Sequence, residues 1–181
     1  QTSAPENVEC YSMAHQINTL HQLLQQLQLE RFTLLGYSMG GRVALSYAVK
    51  YPDHIEQLVL ESASPGLKSE EERAARKQAD EALAEKILAN GIASFVDKWE
   101  NIALFASQKQ LSEAVQKEIR TERLQQCEIG LANSLRGMGT GVMPNLWDDL
   151  ATLPMPSTLL TGALDEKFVT LNEKMQNLLN E

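Results

Sequence analysis

One nine-residue stretch, LLGYSMGGR from Leu34 to Arg42, limits what this chain can fold into more than any other. An apolar run, RFTLLG, leads into it. A helix-favouring run, SMGGRVALSYAVKYP, leaves it and ends before Pro52. A serine between glycines at a strand-to-helix junction requires a sharp turn that pushes its hydroxyl outward, and small neighbours let strand and helix pack closely. IEQLVLESA follows as a second strand, closed by the turn residues Ser64, Pro65 and Gly66. Strand, helix, strand at this spacing predicts two parallel strands joined by a right-handed crossover.

The surrounding sequence extends that unit. Upstream, Met13, Ile17, Leu20, Leu24 and Leu27 recur at helical spacing and predict one apolar helix face. Downstream, the chain from Lys68 to about Leu150 is charged and helix-favouring. SEEERAARKQADEALAEKILANG opens with a capping box, Ser69 and Glu72, and should close at Asn90 and Gly91. Further helices are expected around SFVDKWENI, LSEAVQKEIRTERLQQCEIGLANSLR and NLWDDL. Beyond Pro154 and Pro156, STLLTG reads as a buried strand, ALDEKF as a loop, and the remainder as a helix. The expected architecture is α/β, a partial parallel sheet flanked by helices: residues 1–66 form the first part of the core, 67–153 an inserted helical cap, and 154–181 the second part of the core.

Composition narrows the function. The 181 residues carry a formal net charge of -8, which argues against a nucleic-acid backbone as partner. It does not exclude a small anion held by a few local arginines. No apolar run approaches the roughly 20 residues needed to span a bilayer. Two widely separated cysteines, Cys10 and Cys127, and three scattered histidines predict no metal site and free thiols in a cytoplasmic setting.

Gly36-Tyr37-Ser38-Met39-Gly40 therefore reads as a nucleophile elbow, with the Met39 N–H at a helix N-terminus where it can stabilise an oxyanion. Asp165, in the loop leaving STLLTG, is the candidate acid of a Ser-His-Asp triad, in the chain order used by α/β hydrolases. No histidine suits the third role. His15 falls on a polar helix side and His21 borders an apolar one. His54 precedes its strand whereas Ser38 follows its own, so the two should lie at opposite ends of the sheet. With three readable strands and no such histidine, the chain is expected to be an internal fragment that is inactive by itself.

The stretches GYSMGGRVALSYA, ESASPGL, ERAARKQAD, FVDKWE, SLRGMGTG and GALDEKF together resemble the 2-succinyl-6-hydroxy-2,4-cyclohexadiene-1-carboxylate synthases of menaquinone biosynthesis, across cap as well as core. That resemblance implies an α/β-hydrolase-fold lyase that eliminates pyruvate from a tricarboxylate substrate, without metal or redox cofactor. It further implies Ser38 and Asp165 as triad members, with Ser38 acting as a base. Tyr37 and Arg42 would be substrate-binding residues beside the elbow, and Arg76, Trp99 and Arg120 substrate-binding residues from the cap. Guanidinium groups suit such a substrate, since each can grip a carboxylate through two hydrogen bonds. Two alternatives stay open: a carboxylester or thioester hydrolase working through an acyl-enzyme, and a non-catalytic binding module.

Overall fold

A computed structural model describes residues 3–179; the outermost residues of the expected 1–66 and 154–181 segments lie outside them. Its frame is a three-stranded, all-parallel sheet in the order β1 (Phe32–Tyr37), β2 (Ile55–Glu61), β3 (Ser157–Leu160). The register sets Leu34 beside Leu58 and Ser157, and Gly36 beside Leu60 and Leu159. Strand periodicity puts Phe32, Leu34, Leu58, Leu60 and Leu159 on one face. That face is covered by helix α2 (Met39–Lys50), against which α1 (Met13–Gln26) packs, while α6 (Glu166–Gln176) packs on β3.

The opposite face differs from the expectation of strands buried on both sides. Leu35 is 60% exposed and Leu160 44%, because no described element lies over their side of the sheet. Along α1, Met13 and Ile17 are buried and Leu20 and Leu24 pack against the core. Leu27 falls just past the helix end and is exposed, so it does not join the apolar face.

Between β2 and β3, in the segment expected as a cap, lie α3 (Glu70–Trp99), α4 (Glu113–Leu124) and α5 (Glu128–Met138). Ser69 caps α3 by accepting from the Glu72 N–H at 3.0 Å, as its sequence predicts. The break expected at Gly91 is present as a left-handed residue (φ 77°), but the helix resumes at once. Resumption is possible because the Glu128 carboxylate accepts the Ile92 N–H at 3.1 Å, supplying a cap from another helix. The expected run from Leu111 to Arg136 divides into α4 and α5 at Gln125 to Cys127.

NLWDDL is not a helix. Asn145 accepts the Trp147 N–H at 3.2 Å in a tight turn, and only Leu150–Thr152 coils further. Bonds to a segment distant in sequence decide this: the Leu146 N–H donates to the Pro65 carbonyl at 2.7 Å, and Leu146, Trp147, Leu150 and Leu153 all enter the main core. The Trp147 Nε1–H donates to the Gly66 carbonyl at 2.9 Å, tying the segment to the end of the β2 loop. At the amino end, residues 4–11 lie along α5. Asn133 donates to the Glu6 carbonyl at 3.0 Å, and Gly137 leaves room for the Tyr11 backbone. The apolar core is thus continuous from sheet to cap-proximal segments.

At the amino ends of the strands, His21 Nδ1 lies 3.0 Å from Tyr47 Oη. Its ring stacks on Tyr51 at 3.9 Å, with His54 edge-on at 5.1 Å. Burial, then His54 and Lys50, hold the His21 pKa below its ordinary 6.5. The unfolded chain therefore binds the proton more readily than the folded one. Stability should fall as pH drops through about 6.5 and continue falling towards the lower folded-state pKa. Urea midpoints of wild type and His21→Gln across pH 5 to 8 check this, with the acid-side slope shallower in the variant.

The elbow glycines give a second outcome. A Cβ at Gly36 would sit 2.5 Å from the Gly40 carbonyl oxygen and 2.6 Å from Gly41 Cα, whereas at Gly40 it would meet nothing within 4 Å. Gly36→Ala should cost about 1–3 kcal/mol by overpacking. Gly40→Ala, in the first turn of α2, should be neutral or slightly stabilising, and denaturant unfolding of the two variants compares them directly.

Candidate active site

Ser38 joins β1 to α2 with φ 51° and ψ −112°, a conformation that non-glycine residues adopt only under constraint. The constraint is visible on both sides. The Ser38 N–H donates to the Glu61 carbonyl at 2.8 Å, and the Ser38 carbonyl accepts the Arg42 N–H at 3.2 Å. Gly41 is pressed against Ala63, where a Cβ would approach the alanine methyl to 2.5 Å. The serine is exposed and its hydroxyl makes no capping bond, leaving it available. Met39 begins α2, so its N–H has no acceptor within the helix and points from the positive end of the helix dipole.

Asp165 follows β3 at the same carboxyl edge of the sheet, two strand spacings from Ser38's strand, about 10 Å by strand geometry. It caps α6, Oδ1 accepting the Phe168 N–H at 3.2 Å, which fixes the side chain. Thus both polar triad candidates sit where α/β folds collect their reactive groups.

Beside the elbow opens a cavity of about 310 Å³ between core and cap, to whose wall Met39, Arg42, Arg76, Trp99 and Arg123 contribute. Leu83, Ile87 and Phe95 supply apolar surface, and Trp99 stacks on Phe95 with centroids 5.3 Å apart. Three arginines and no acidic side chain line it. Arg42 Nη1 donates to the Met138 carbonyl at 2.5 Å. Burial, reinforced by Arg76 and opposed by Asp80, pulls the Arg42 pKa below its ordinary value. Arg76 donates through Nε to Asp80 Oδ1 at 2.8 Å. Arg123 lies over the Phe105 ring at 4.5 Å and donates to Gln108 Oε1 at 2.9 Å, a neutral partner that leaves its charge uncompensated.

Of the residues singled out from sequence, Met39, Arg42, Arg76 and Trp99 are brought together here. Tyr37 stands exposed at the end of β1, outside the lining. Arg120 is not brought to the cavity: its guanidinium binds Asp97 at 2.6 Å and Glu100 at 2.5 Å, on a separate cleft of the cap. Hydrogen bonds to Asp97 and then Glu100 raise its pKa. Arg123, one turn further along the same helix, was legible only through that i, i+3 spacing. His15, His21 and His54 do not line the cavity; His54 Nδ1 lies 2.7 Å from the Glu30 carbonyl oxygen, at the other end of the sheet.

Known proteins share this fold. The profile of a family described as the alpha/beta hydrolase fold matches residues 1–154. The chain belongs to the α/β-hydrolase family. A Bacillus subtilis protein, provisionally named a 2-succinyl-6-hydroxy-2,4-cyclohexadiene-1-carboxylate synthase, is 46% identical over 99% of this chain. A Serratia proteamaculans protein of the same name is 31% identical over 82% of it. The solved structure of MenH from S. aureus superposes with a TM-score of 0.90 at 41% identity, over 99% of this chain. The chain spans 65% of the Bacillus protein, 57% of the Serratia protein and 66% of the S. aureus chain. An enol-lactonase from Burkholderia xenovorans, at 18% identity and TM-score 0.75, shares the fold.

Within this α/β-hydrolase elbow, the φ of Ser38 is a store of strain. Ser38→Gly should be more stable than Ser38→Ala by about 1–2 kcal/mol, because only glycine occupies that region without steric cost. Paired urea titrations measure the difference, and equal midpoints would contradict it.

Proposed function

We propose that the protein is a lyase of menaquinone biosynthesis that forms 2-succinyl-6-hydroxy-2,4-cyclohexadiene-1-carboxylate by eliminating pyruvate from its 5-enolpyruvyl precursor. The observation that carries this reading is the trio Arg42, Arg76 and Arg123 in the wall of a cavity that Met39, the residue after Ser38, also lines and that holds no acidic side chain. A tricarboxylate ring fits such a wall; the apolar acyl chain of an ordinary ester does not. The names of the Bacillus and Serratia relatives support the same choice.

In this reading Ser38 Oγ takes up a ring proton, its own proton having been drawn off by a triad histidine oriented by Asp165. That histidine is none of His15, His21 and His54. As the proton leaves, the ring carbon–carbon double bond forms and the carbon–oxygen bond to the enolpyruvyl group breaks. Enolpyruvate departs and takes up a proton to become pyruvate, so no acyl-enzyme arises. The Met39 N–H steadies negative charge that develops as the proton is removed. Arg42, Arg76 and Arg123 hold substrate carboxylates and Trp99 bounds the ring, while Tyr37, outside that wall, could meet only a part of the substrate that extends beyond it. Arg120 serves by pinning α4 to α3 through Asp97 and Glu100. The reading needs no metal or redox cofactor. It places the enzyme in the cytoplasm. Among the described residues no helix is long and apolar enough to cross a membrane.

The product of the complete reading frame should release pyruvate from the tricarboxylate in a lactate dehydrogenase-coupled assay. Arg42→Ala should lower kcat/KM about 10–100-fold, as expected for loss of a charged hydrogen-bonding partner. An Arg42→Ala enzyme with unchanged kinetics, or a wild type that only hydrolyses aryl esters with an acyl-enzyme burst, would overturn the assignment.

A further inference from the structure

Asp80 is one of three buried polar residues among those described, at 4% exposure, and its surroundings are unlike those of the other two. Ser46 donates to the Arg42 carbonyl and Asn133 to the backbone of Pro5 and Glu6. Asp80 is only half satisfied. Oδ1 accepts the Arg76 Nε–H at 2.8 Å, while Oδ2 is buried with no hydrogen-bond partner. A buried carboxylate oxygen without a donor is costly, and such a group calls for a compensating role.

The position of that oxygen suggests the role. Oδ2 lies against Gly139, where a Cβ would collide with it. Gly139 lines the arginine cavity, whereas Asp80 stands behind the lining. Arg42 grips the carbonyl of the preceding residue, Met138. One carboxylate is therefore placed within the field of two cavity arginines but hydrogen-bonds only one, and only through its Nε edge. The two terminal NH₂ groups of Arg76, a side chain 46% exposed, stay free to meet a ligand.

We propose that Asp80 is a positioning residue that fixes the Nε edge of Arg76 so that its NH₂ groups meet a substrate carboxylate in one preset orientation. This rests on the reading of the cavity as a polycarboxylate site. The geometry separates it from a simple charge effect. Asp80 lowers the positive potential of the cavity, so neutralising it would tighten anion binding if charge alone mattered. Positioning predicts the reverse, because a guanidinium released from its buried partner must be ordered by the ligand at entropic cost.

The test is Asp80→Asn, a nearly isosteric change that keeps an acceptor for Nε. It is made in the product of the complete reading frame, with thermal unfolding as the check on folding. The expected result is a roughly tenfold rise in KM for the enolpyruvyl substrate and in the calorimetric Kd of citrate, used as an unreactive tricarboxylate, with kcat changed less than threefold. Citrate affinity equal to or tighter than wild type overturns the positioning role while leaving the polycarboxylate reading intact. Failure of wild type to bind citrate or turn over the substrate overturns both. Should Asp80→Asn not fold, the wild-type Arg76 Nε–H signal in a proton–nitrogen NMR spectrum decides. Slow exchange with solvent supports the fixed edge, and exchange as fast as at exposed arginines refutes it.

Discussion

The close approach of two backbones at Gly36 and Gly41 is the contact on which the rest of the arrangement depends. With no side chain between them, the carboxyl end of β1 and the first turn of α2 touch directly, and Ala63 closes the gap from β2. That contact forces the chain to reverse within one residue, which puts Ser38 at positive φ and sets the axis of α2. The axis in turn aims Met39 at the space above the strands and carries Arg42, one turn on, to the base of the cap. Reactive hydroxyl, helix-end amide and cation are thus placed by one steric decision rather than three.

Much of this could be read from sequence because it rests on local rules. The apolar run RFTLLG, the strand pattern of IEQLVL with its closing turn residues, the Ser69–Glu72 cap and the glycine spacing of the elbow each act within a few residues, and each element formed where its pattern lay. What could not be read depended on partners distant in sequence. NLWDDL has apolar residues at helical spacing, yet Trp147 and Leu146 are drawn into the core and bound to Gly66 and Pro65. Gly91 ends helical geometry as its type demands, but Glu128, 37 positions later, lets the helix start again. Arg120 and Arg123 have similar local sequence surroundings; only the placement of Asp97 and Glu100 decides which one is neutralised.

The cavity shows how an acidic chain can present a cationic interior. Its net charge of -8 is a property of the whole, whereas the wall beside Ser38 is built from arginines whose partners are a carbonyl, one buried carboxylate and a glutamine amide. Two of those partners carry no net charge, so the guanidiniums that bind them keep most of their field. Arg120, half-buried and doubly paired with carboxylates, holds α4 to α3 and gives up that field.

Arg42 joins two requirements in one side chain. One donor of its fork is committed to the end of α5, so the same residue that offers charge to the cavity also clasps cap to core. A lysine could satisfy either the carbonyl or an incoming anion, but its single ammonium could not serve both directions at a fixed geometry. The position is closed to the commonest conservative exchange for two unrelated reasons. A ligand that draws the guanidinium towards itself must also tug on the last turn of α5, so occupancy of the cavity and the seating of the cap are thermodynamically linked through a single residue.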